Sequence, residues 1–327
     1  MKYRRLGKSG LKVSELSFGS WVTFGDQVNN AVAESCLKTA YDAGINFFDN
    51  AEGYAAGQSE EVMGSILSKF GWSRDTFLVS SKVFWGGDQP NQTGLCRKHV
   101  IEACNAALKR LRVDYLDLYY CHRPDPETPV EETVRAMDTL IQQGKVLYWG
   151  TSEWSAGEIM EAYSVARQYN LTPPAMEQPR YNMIHRDRVE GELTRLSNSI
   201  GLGMTTFSPV SAGMLTGRYN EGIPANSRLS IERLDFLRER WERLKENGIV
   251  PVIETLESIA QKIGANLPQL AVAWCLKNEN VSSVILGASK PEQLVNNLAS
   301  LKFVESLDDE LMDEINVALS TVKEIDV

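Results

Sequence analysis

Short apolar runs alternate with stretches of helical periodicity along the chain. The stretch from Gly44 to Asp49 illustrates the pattern. It begins with a glycine that stops the preceding helix, is largely apolar and ends in a carboxylate. Buried parallel strands have this composition because helices cover both of their faces. Further runs of this kind predict strands at residues 15–21, 76–81, 115–121, 146–151, 175–178, 203–207 and 281–286.

The segments between these runs carry apolar residues on one helical face and have the residue types that begin and end helices. Ser59 has the position of an N-cap, acidic residues follow it, and Gly71 ends the helix. Ser155 and Glu158 have the spacing of a capping box. Helices are predicted at residues 32–43, 59–70, 97–111, 130–143, 155–169, 188–200, 255–263 and 268–277, from 291 onward, and at 308–320.

Two segments stand outside this alternation. Residues 3–14 predict a β-hairpin that turns between Gly7 and Gly10, and residues 208–254 predict a long insertion with a charged helix at about 231–245. The remaining eight strand–helix units follow one another without a break in composition. They predict an α/β fold, a (β/α)8 TIM barrel with an N-terminal hairpin, extra helices and a C-terminal tail helix, in a single domain of residues 1–327. A doubly wound open sheet also alternates strand and helix, but the unbroken series of units favours the closed barrel.

The composition excludes several classes of function. The chain has 327 residues and a net charge of −9, which argues against non-specific binding to nucleic acid or to an anionic membrane surface. Its five cysteines are odd in number and form no C-x-x-C pair, so thiols in a reducing cytosol fit better than disulfides or a metal site. The N-terminal residues contain no apolar signal-sequence core, and no apolar run approaches the length of a membrane span. We therefore expect a cytoplasmic protein with no direct membrane insertion and no bound metal.

Polar side chains stand at or beyond the ends of three consecutive strands. Asp49 ends one strand and Tyr54 follows in the loop, while Lys82 and His122 follow the next two strands. In an α/β barrel such strand ends meet at the mouth that holds the active site. Each side chain has an ordinary structural explanation, as a strand-end cap, a packing aromatic, a surface lysine or a loop histidine. Together they form a proton-transfer set, in which a nearby ammonium is expected to lower the pKa of the tyrosine.

In this order and context the four residues resemble the catalytic tetrad of the aldo-keto reductases. The similarity extends from about Tyr3 to about Leu319, and segments 21–25, 84–87, 123–126, 149–152 and 170–174 resemble the voltage-gated potassium channel β-subunit branch. The resemblance implies that Tyr54 is the general acid, assisted by Lys82, Asp49 and His122. Animal channel β-subunits carry asparagine at the position of His122, so this departure favours an enzyme.

The resemblance also implies NADPH or NADP⁺ as the cofactor, laid across the barrel mouth, since no G-x-G-x-x-G follows a strand. Gln178 would bind the carboxamide, Phe207 would stack on the nicotinamide where the branch usually has tryptophan, and Arg218 and Arg228 would bind the 2′-phosphate. The implied cofactor-binding residues are Trp21, Gln27, Asp49, Ser152, Gln178, Phe207, Ser208, Pro209, Val210, Ser211, Gly213, Arg218, Arg228, Gly287, Ser289, Gln293 and Asn297.

Judged from the residue types alone, two groups of these proposed cofactor-binding residues could also have a purely structural role. The small residues of 208–213 suit a phosphate-binding turn or a plain turn, and the two arginines suit a phosphate or a solvated surface. Glu153 stands where the channel branch has arginine. Three tryptophans near the mouth either line a substrate pocket or pack within loops: Trp85, Trp149 and Trp154.

The sequence therefore predicts an NADPH-dependent oxidoreductase that reduces aldehydes or ketones to alcohols. The alternative is an NADPH-binding β-subunit that regulates a potassium channel. In that case we expect this chain to act without an N-terminal inactivation segment ahead of the hairpin. The expected partners are a small-molecule carbonyl substrate, further copies of the chain in a homotetramer, and a possible channel.

Overall fold

The computed structural model describes residues 1–21, 24–25, 29–225 and 227–322. The chain divides into two compact units. The first comprises Met1–Pro179, Val189–Phe207 and Asn280–Leu294, and the second comprises Arg180–Arg188, Ser208–Glu279 and the chain from Val295 onward. No helix in the described part of the chain is both long and apolar enough to cross a membrane.

The first unit holds a closed barrel of parallel strands, which confirms the predicted TIM-barrel architecture. The barrel follows the order β10-β3-β4-β5-β6-β7-β8-β9, so each strand pairs with its neighbour in sequence and the last strand pairs with the first. The strands are β1 Tyr3–Arg5, β2 Lys12–Ser14, β3 Leu16–Gly19, β4 Phe47–Asp49, β5 Leu78–Val83, β6 Leu116–Cys121, β7 Val146–Thr151, β8 Met176–Glu177, β9 Gly203–Phe207 and β10 Val281–Leu286.

The helices alternate with these strands. They are α1 Asn30–Asp42, α2 Gln58–Phe70, α3 Arg97–Leu111, α4 Val130–Gln142, α5 Ala156–Gln168, α6 Thr194–Ile200, α7 Asp235–Glu246, α8 Ile249–Lys262, α9 Leu267–Lys277, α10 Pro291–Leu298 and α11 Asp309–Leu319. The predicted bounds of α3 are confirmed, and so is the capping box in which Ser155 and Glu158 satisfy each other's backbone N–H groups at the start of α5.

The N-terminal hairpin pairs β1 with β2 in antiparallel register, as predicted, and closes one end of the barrel. Leu6 and Val13 of the hairpin are fully buried in one apolar cluster with Phe47, Leu118 and Met176 from the barrel strands. The contact is close enough that a Cβ at Gly203 would lie 2.7 Å from the Gly7 nitrogen, so only glycine fits there. All the barrel strands are parallel, so the carboxyl ends that carry the polar residues lie together at one end of the barrel.

The second unit is helical in its described residues. In its core Trp241 of α7 packs against Tyr219, with ring centroids 5.8 Å apart, and Trp274 of α9 packs against Tyr181 at 4.9 Å. An ion pair of 2.5 Å between Lys262 and Glu314 joins α8 to α11.

Several details of the predicted helices were wrong. The predicted helix at 188–200 begins as a π-helical turn, Val189–Leu193, because the Thr194 hydroxyl donates to the Val189 carbonyl at 2.7 Å and widens the turn. The helix predicted at 255–263 begins at Ile249, since Pro251 lies in the first turn, where a backbone N–H has no helical acceptor. The described part of the insertion therefore contains two α-helices, α7 and the start of α8, rather than the single charged helix predicted at 231–245.

Candidate active site

The structure brings the four predicted catalytic residues together at the carboxyl ends of neighbouring strands. Asp49 is the last residue of β4, Lys82 lies near the end of β5, and His122 follows β6 directly. The His122 N–H donates to the Val83 carbonyl at 3.0 Å, which aligns the two strand ends. Tyr54 comes from the turn Tyr54–Gly57 that follows β4. Asp49, Lys82 and His122 are buried, and Tyr54 is half-buried.

Lys82 is the centre of the group, because its ammonium donates three hydrogen bonds. They reach Asp49 Oδ2 at 2.6 Å, the Asn50 carbonyl at 2.9 Å and Tyr54 Oη at 3.1 Å. These bonds use every proton that the ammonium carries. Since Tyr54 accepts from Lys82, its own hydroxyl proton is available to a substrate oxygen.

Asp49 is held by a second set of contacts on its other oxygen. Oδ1 accepts from the Ser80 hydroxyl at 2.8 Å and from Gln178 Nε2 at 3.1 Å. Ser80 was not predicted as a site residue, although the alternation of a strand puts residues 80 and 82 on the same face of β5. The carboxylate therefore orients Lys82 from a fixed position.

The protonation states of this group follow from burial and from the neighbouring charges. Burial raises the pKa of Tyr54 above 10.0; Lys82 opposes that effect and Asp49 adds to it. Lys82 thus acts to lower the pKa of the tyrosine, as expected, but desolvation of the phenolate is the larger effect and sets the net direction. Burial acts to lower the pKa of Lys82, but Asp49 and Tyr54 outweigh it and the pKa is raised above 10.5. At neutral pH the pair is a neutral phenol beside an ammonium.

His122 is neutral at the same pH. Burial, followed by the charges of Lys82 and Arg123, holds the pKa of His122 well below 6.5. Its ring meets the Tyr54 ring edge-on, with centroids 5.7 Å apart, and its buried Nδ1 has no hydrogen-bond partner among the described residues. A neutral imidazole carries one N–H, which it can donate to a substrate oxygen.

The turn that carries Tyr54 has an unusual backbone. Ala55, Ala56 and Gly57 all have left-handed conformations, with φ values of 49°, 51° and 88°. A Cβ at Gly57 would lie 3.1 Å from the Arg110 side chain. Gly57 is the N-cap residue of α2, which begins at Gln58. The prediction of Ser59 as the N-cap was therefore wrong, because Ser59 lies inside the first turn. Non-glycine residues with positive φ store strain of about 1–3 kcal/mol each, and they cluster at functional sites.

A buried ion pair that involves Glu52, two residues before Tyr54, was also missed by sequence reasoning. Glu52 Oε1 accepts from the Phe84 N–H at 2.8 Å and lies 3.2 Å from His99 Nε2, while His99 Nδ1 lies 2.8 Å from the Gly94 carbonyl. Burial acts to lower the pKa of His99, but the Glu52 carboxylate outweighs it and the pKa is raised above 6.5. Since both ring nitrogens face acceptors, the imidazolium form satisfies both. The pair ties the loop of Tyr54 to the loop after β5.

The three mouth tryptophans have different environments. Trp85 is 45% exposed and its ring meets the His122 ring at 4.9 Å. Trp149 is fully buried and its Nε1 donates to the Thr172 carbonyl at 2.8 Å. Trp154 is also buried. Of the two explanations left open by the sequence, a mouth position applies to Trp85 and internal packing to the other two.

Several residues implied to bind the nicotinamide end lie beside Asp49 in the first unit. Gln178, just after β8, donates to Asp49, and its carbonyl accepts from the Ser152 hydroxyl at 2.9 Å. Phe207 is half-buried at the end of β9. Trp21 lies two residues after β3. Gln27 lies outside the described residues.

The strand-to-helix turn after β10 contains three more implied residues. Gly287 follows the strand directly, and Gln293 lies in the first turn of α10. The Ser289 N–H and hydroxyl both donate to Gln293 Oε1 at 3.0 Å. The predicted turn before a helix N-terminus is therefore present. Asn297 lies on α10 in the second unit and is half-buried.

In the second unit, residues 208–217 form a compact turn with several left-handed residues. Ser208, Ser211, Ala212 and Gly213 have φ values of 61°, 47°, 56° and 95°. The Ala212 N–H donates to the Ser208 hydroxyl at 3.2 Å. The Ser211 and Gly213 N–H groups also donate within the turn, to the Ser208 and Val210 carbonyls, both at 2.9 Å. Pro209 and Val210 lie within the same turn.

Arg218 and Arg228 of the second unit are close enough to affect each other. Burial lowers the pKa of Arg228, Tyr219 opposes this, and the positive charge of Arg218 lowers it further. Arg218 is exposed and its guanidinium lies 5.4 Å from the Tyr219 ring centroid. Guanidinium groups donate hydrogen bonds to phosphate oxygens, so the chemistry of both arginines fits the phosphates of NADPH. Among the described residues no group of His, Cys, Asp or Glu could hold a metal ion.

Comparison with known proteins adds two findings. Residues 15–319 match the model of the Aldo/keto reductase family. A protein of Oryza sativa subsp. japonica, named "Probable voltage-gated potassium channel subunit beta", is 49% identical over 326 residues, which cover 98% of this chain and 97% of that protein.

Proposed function

Because this chain belongs to the aldo/keto reductase family, we propose that it is an NADPH-dependent oxidoreductase that reduces aldehydes or ketones to alcohols. The observation that carries the proposal is the chain of contacts from Asp49 through Lys82 to Tyr54, at 2.6 Å and 3.1 Å. It leaves a protonated tyrosine hydroxyl beside a fixed ammonium. This arrangement suits proton delivery to an oxygen that becomes negative.

When bound, NADPH supplies the hydride that forms the new C–H bond. The residues of the chain protonate and hydrogen-bond the carbonyl oxygen, which receives the electron pair of the broken C=O π bond. Tyr54 gives this oxygen its proton, and Lys82 stabilises the phenolate that remains. His122 donates a hydrogen bond to the same oxygen and directs it toward Tyr54.

The cofactor assignment is supported by two separate groups of residues. In the first unit Ser152 and Gln178 are joined by a hydrogen bond of 2.9 Å beside Asp49, and their polar groups suit a carboxamide. In the second unit Arg218 and Arg228 are two guanidinium groups near each other, and guanidinium groups suit a 2′-phosphate better than a hydroxyl. We therefore propose NADPH rather than NADH.

The test is stopped-flow mixing of the NADPH-loaded protein with a panel of aldehydes, α-dicarbonyls and ketones. We expect loss of the cofactor's absorbance in a single turnover with at least one class, and the matching alcohol as product. Absence of oxidation with every member of the panel, despite proven NADPH binding, would contradict the proposal.

A potassium channel β-subunit is the second candidate, supported by the 49% identity to the rice relative with that name. Its test is affinity purification from the source cells in mild detergent. Recovery of a channel in fixed ratio to this chain would support it, and the aldehyde panel decides separately whether the chain is also an enzyme.

We further propose that the chain forms a homotetramer, that residues 1–327 act as a single domain, and that the protein is cytoplasmic. The tetramer rests on the channel-branch resemblance, and the location on the five free cysteines. Light scattering at micromolar concentration that gives a monomer mass would exclude the tetramer.

A further inference from the structure

Arg123 lies directly beside the proposed acid–base group and is not one of its four residues. Its Nη1 donates to the His122 carbonyl at 2.5 Å. Its guanidinium carbon lies 5.3 Å from the centroid of the Trp85 ring, and that ring contacts the His122 ring at 4.9 Å. His122 in turn contacts Tyr54. A single line of contacts therefore connects the guanidinium, an exposed aromatic face and the two residues that would hold the carbonyl oxygen.

The positive charge of Arg123 has no carboxylate partner in the described part of the chain. Both oxygens of Asp125, two residues away, already accept hydrogen bonds. Oδ1 accepts from the Glu127 N–H at 3.0 Å, and Oδ2 accepts from the Thr128 hydroxyl and from the Leu95 N–H of the loop before α3, both at 2.7 Å. Lys82, by contrast, is neutralised by Asp49.

The environment makes this charge effective. Arg123 is half-buried, so water screens it only in part. It acts on both catalytic side chains, since it lowers the pKa of His122 and works against the raised pKa of Tyr54. A partly desolvated guanidinium without a counter-ion favours an anionic ligand. The Trp85 ring and the hydrogen bond to His122 fix its orientation in advance.

We propose that Arg123 is a specificity residue that binds a carboxylate carried by the carbonyl substrate, so that the protein prefers aldehydes and ketones bearing a carboxylate over neutral ones. This proposal rests on the proposed reductase function. The planar guanidinium pairs with a carboxylate through two parallel hydrogen bonds, which fixes the distance between the carboxylate and the reacting carbonyl. The exposed face of Trp85 covers the apolar part between them.

The kinetic test compares 4-carboxybenzaldehyde with 4-methylbenzaldehyde, which has a similar shape and no charge. We expect kcat/KM to favour the carboxylate roughly tenfold to a hundredfold at low salt, the usual worth of a charge-assisted hydrogen bond. In Arg123→Gln the ratio should fall to about one, and Arg123→Lys should keep part of it. The 2- and 3-carboxy isomers measure the preferred spacing. Arg135→Gln, which removes an equal charge from an exposed pair with Glu131, is the matched control and should keep the wild-type ratio.

A second readout does not depend on turnover. Isothermal titration of the NADP⁺-loaded protein with 4-carboxybenzyl alcohol and 4-methylbenzyl alcohol should give tighter binding of the carboxylate, weakened by salt and lost in Arg123→Gln. Equal binding of both alcohols by the wild type, or equal loss of both aldehyde activities in Arg123→Gln and Arg123→Lys, would overturn the proposal. If neither aldehyde is reduced, the proposed function fails, while carboxylate binding that depends on Arg123 would still support the anion site.

Discussion

The buried pair of Asp49 and Lys82 should behave as one unit when it is perturbed. Both side chains are almost fully buried, with exposed fractions of 4% and 0%, and their charged atoms are 2.6 Å apart. Asp49→Asn preserves an acceptor for Ser80 but turns an amide toward the ammonium. Lys82→Met preserves most of the volume but leaves the carboxylate without a cation. Either change leaves one buried charge uncompensated.

Removing one partner of a buried pair costs about 3–5 kcal/mol of unfolding free energy, whereas removing both leaves no buried charge. The double variant should therefore be about as stable as either single variant. In a double-mutant cycle this gives a coupling energy of about 3 kcal/mol or more. Urea unfolding followed by tryptophan fluorescence measures it through the transition midpoints and slopes.

The control is the exposed pair of Lys38 and Asp42 on α1, whose side chains are more than half exposed. Neighbouring pairs on a helix surface couple by only about 0.3–0.5 kcal/mol. If Asp49 and Lys82 couple no more strongly than this control pair, the carboxylate does not fix the ammonium, and the account of how Tyr54 is supported is wrong.

Three further predictions concern the cofactor and pH. Arg228→Ala should weaken NADPH binding by roughly 1.5–3 kcal/mol and NADH binding much less; equal losses in fluorescence titrations would contradict the 2′-phosphate assignment. Because the folded-state pKa of His99 is raised above 6.5, its stabilisation is full below that pH and is lost as pH rises through the folded-state value. Thermal unfolding across pH should therefore show the wild type losing stability relative to His99→Gln under alkaline conditions, and parallel curves would refute this. Since the pKa of Tyr54 is raised above 10.0 and that of His122 lies well below 6.5, the single-turnover rate should stay level from about pH 6.5 to about pH 9.5; a titration near pH 7 would implicate another group.

The barrel could be predicted from the sequence because its signals are local and repeated. Apolar runs that end in polar residues mark the carboxyl ends of strands, and these ends meet by the geometry of the fold. Asp49, Lys82 and His122 could therefore be assigned to one mouth without any measured distance. The predicted ends of α3 were accurate. Predicted helix starts were wrong where the Thr194 hydroxyl bonded to a backbone carbonyl and where Pro251 was accommodated in the first turn of α8.

The supporting contacts of the site could not be predicted in the same way. Glu52 and His99 are far apart in sequence and meet only because the loop after β4 lies against the start of α3. The net direction of the Tyr54 pKa depends on how completely the ring is desolvated, which no spacing of residues reveals. The left-handed backbone at Ala55 and Ala56 is likewise imposed by the tertiary structure, because alanine does not favour it.

The most direct test of the central claim, that Tyr54 delivers the proton to a carbonyl oxygen, is single-turnover oxidation of bound NADPH by an aldehyde in Tyr54→Phe. The variant keeps the ring and its contact with His122, and the residues proposed to bind the cofactor are unchanged, so NADPH affinity should stay close to that of the wild type. The rate of absorbance loss should fall by about 10²–10⁴, the usual contribution of a positioned general acid. Oxidation at nearly the wild-type rate would contradict the account and make His122 or a bound water the source of the proton.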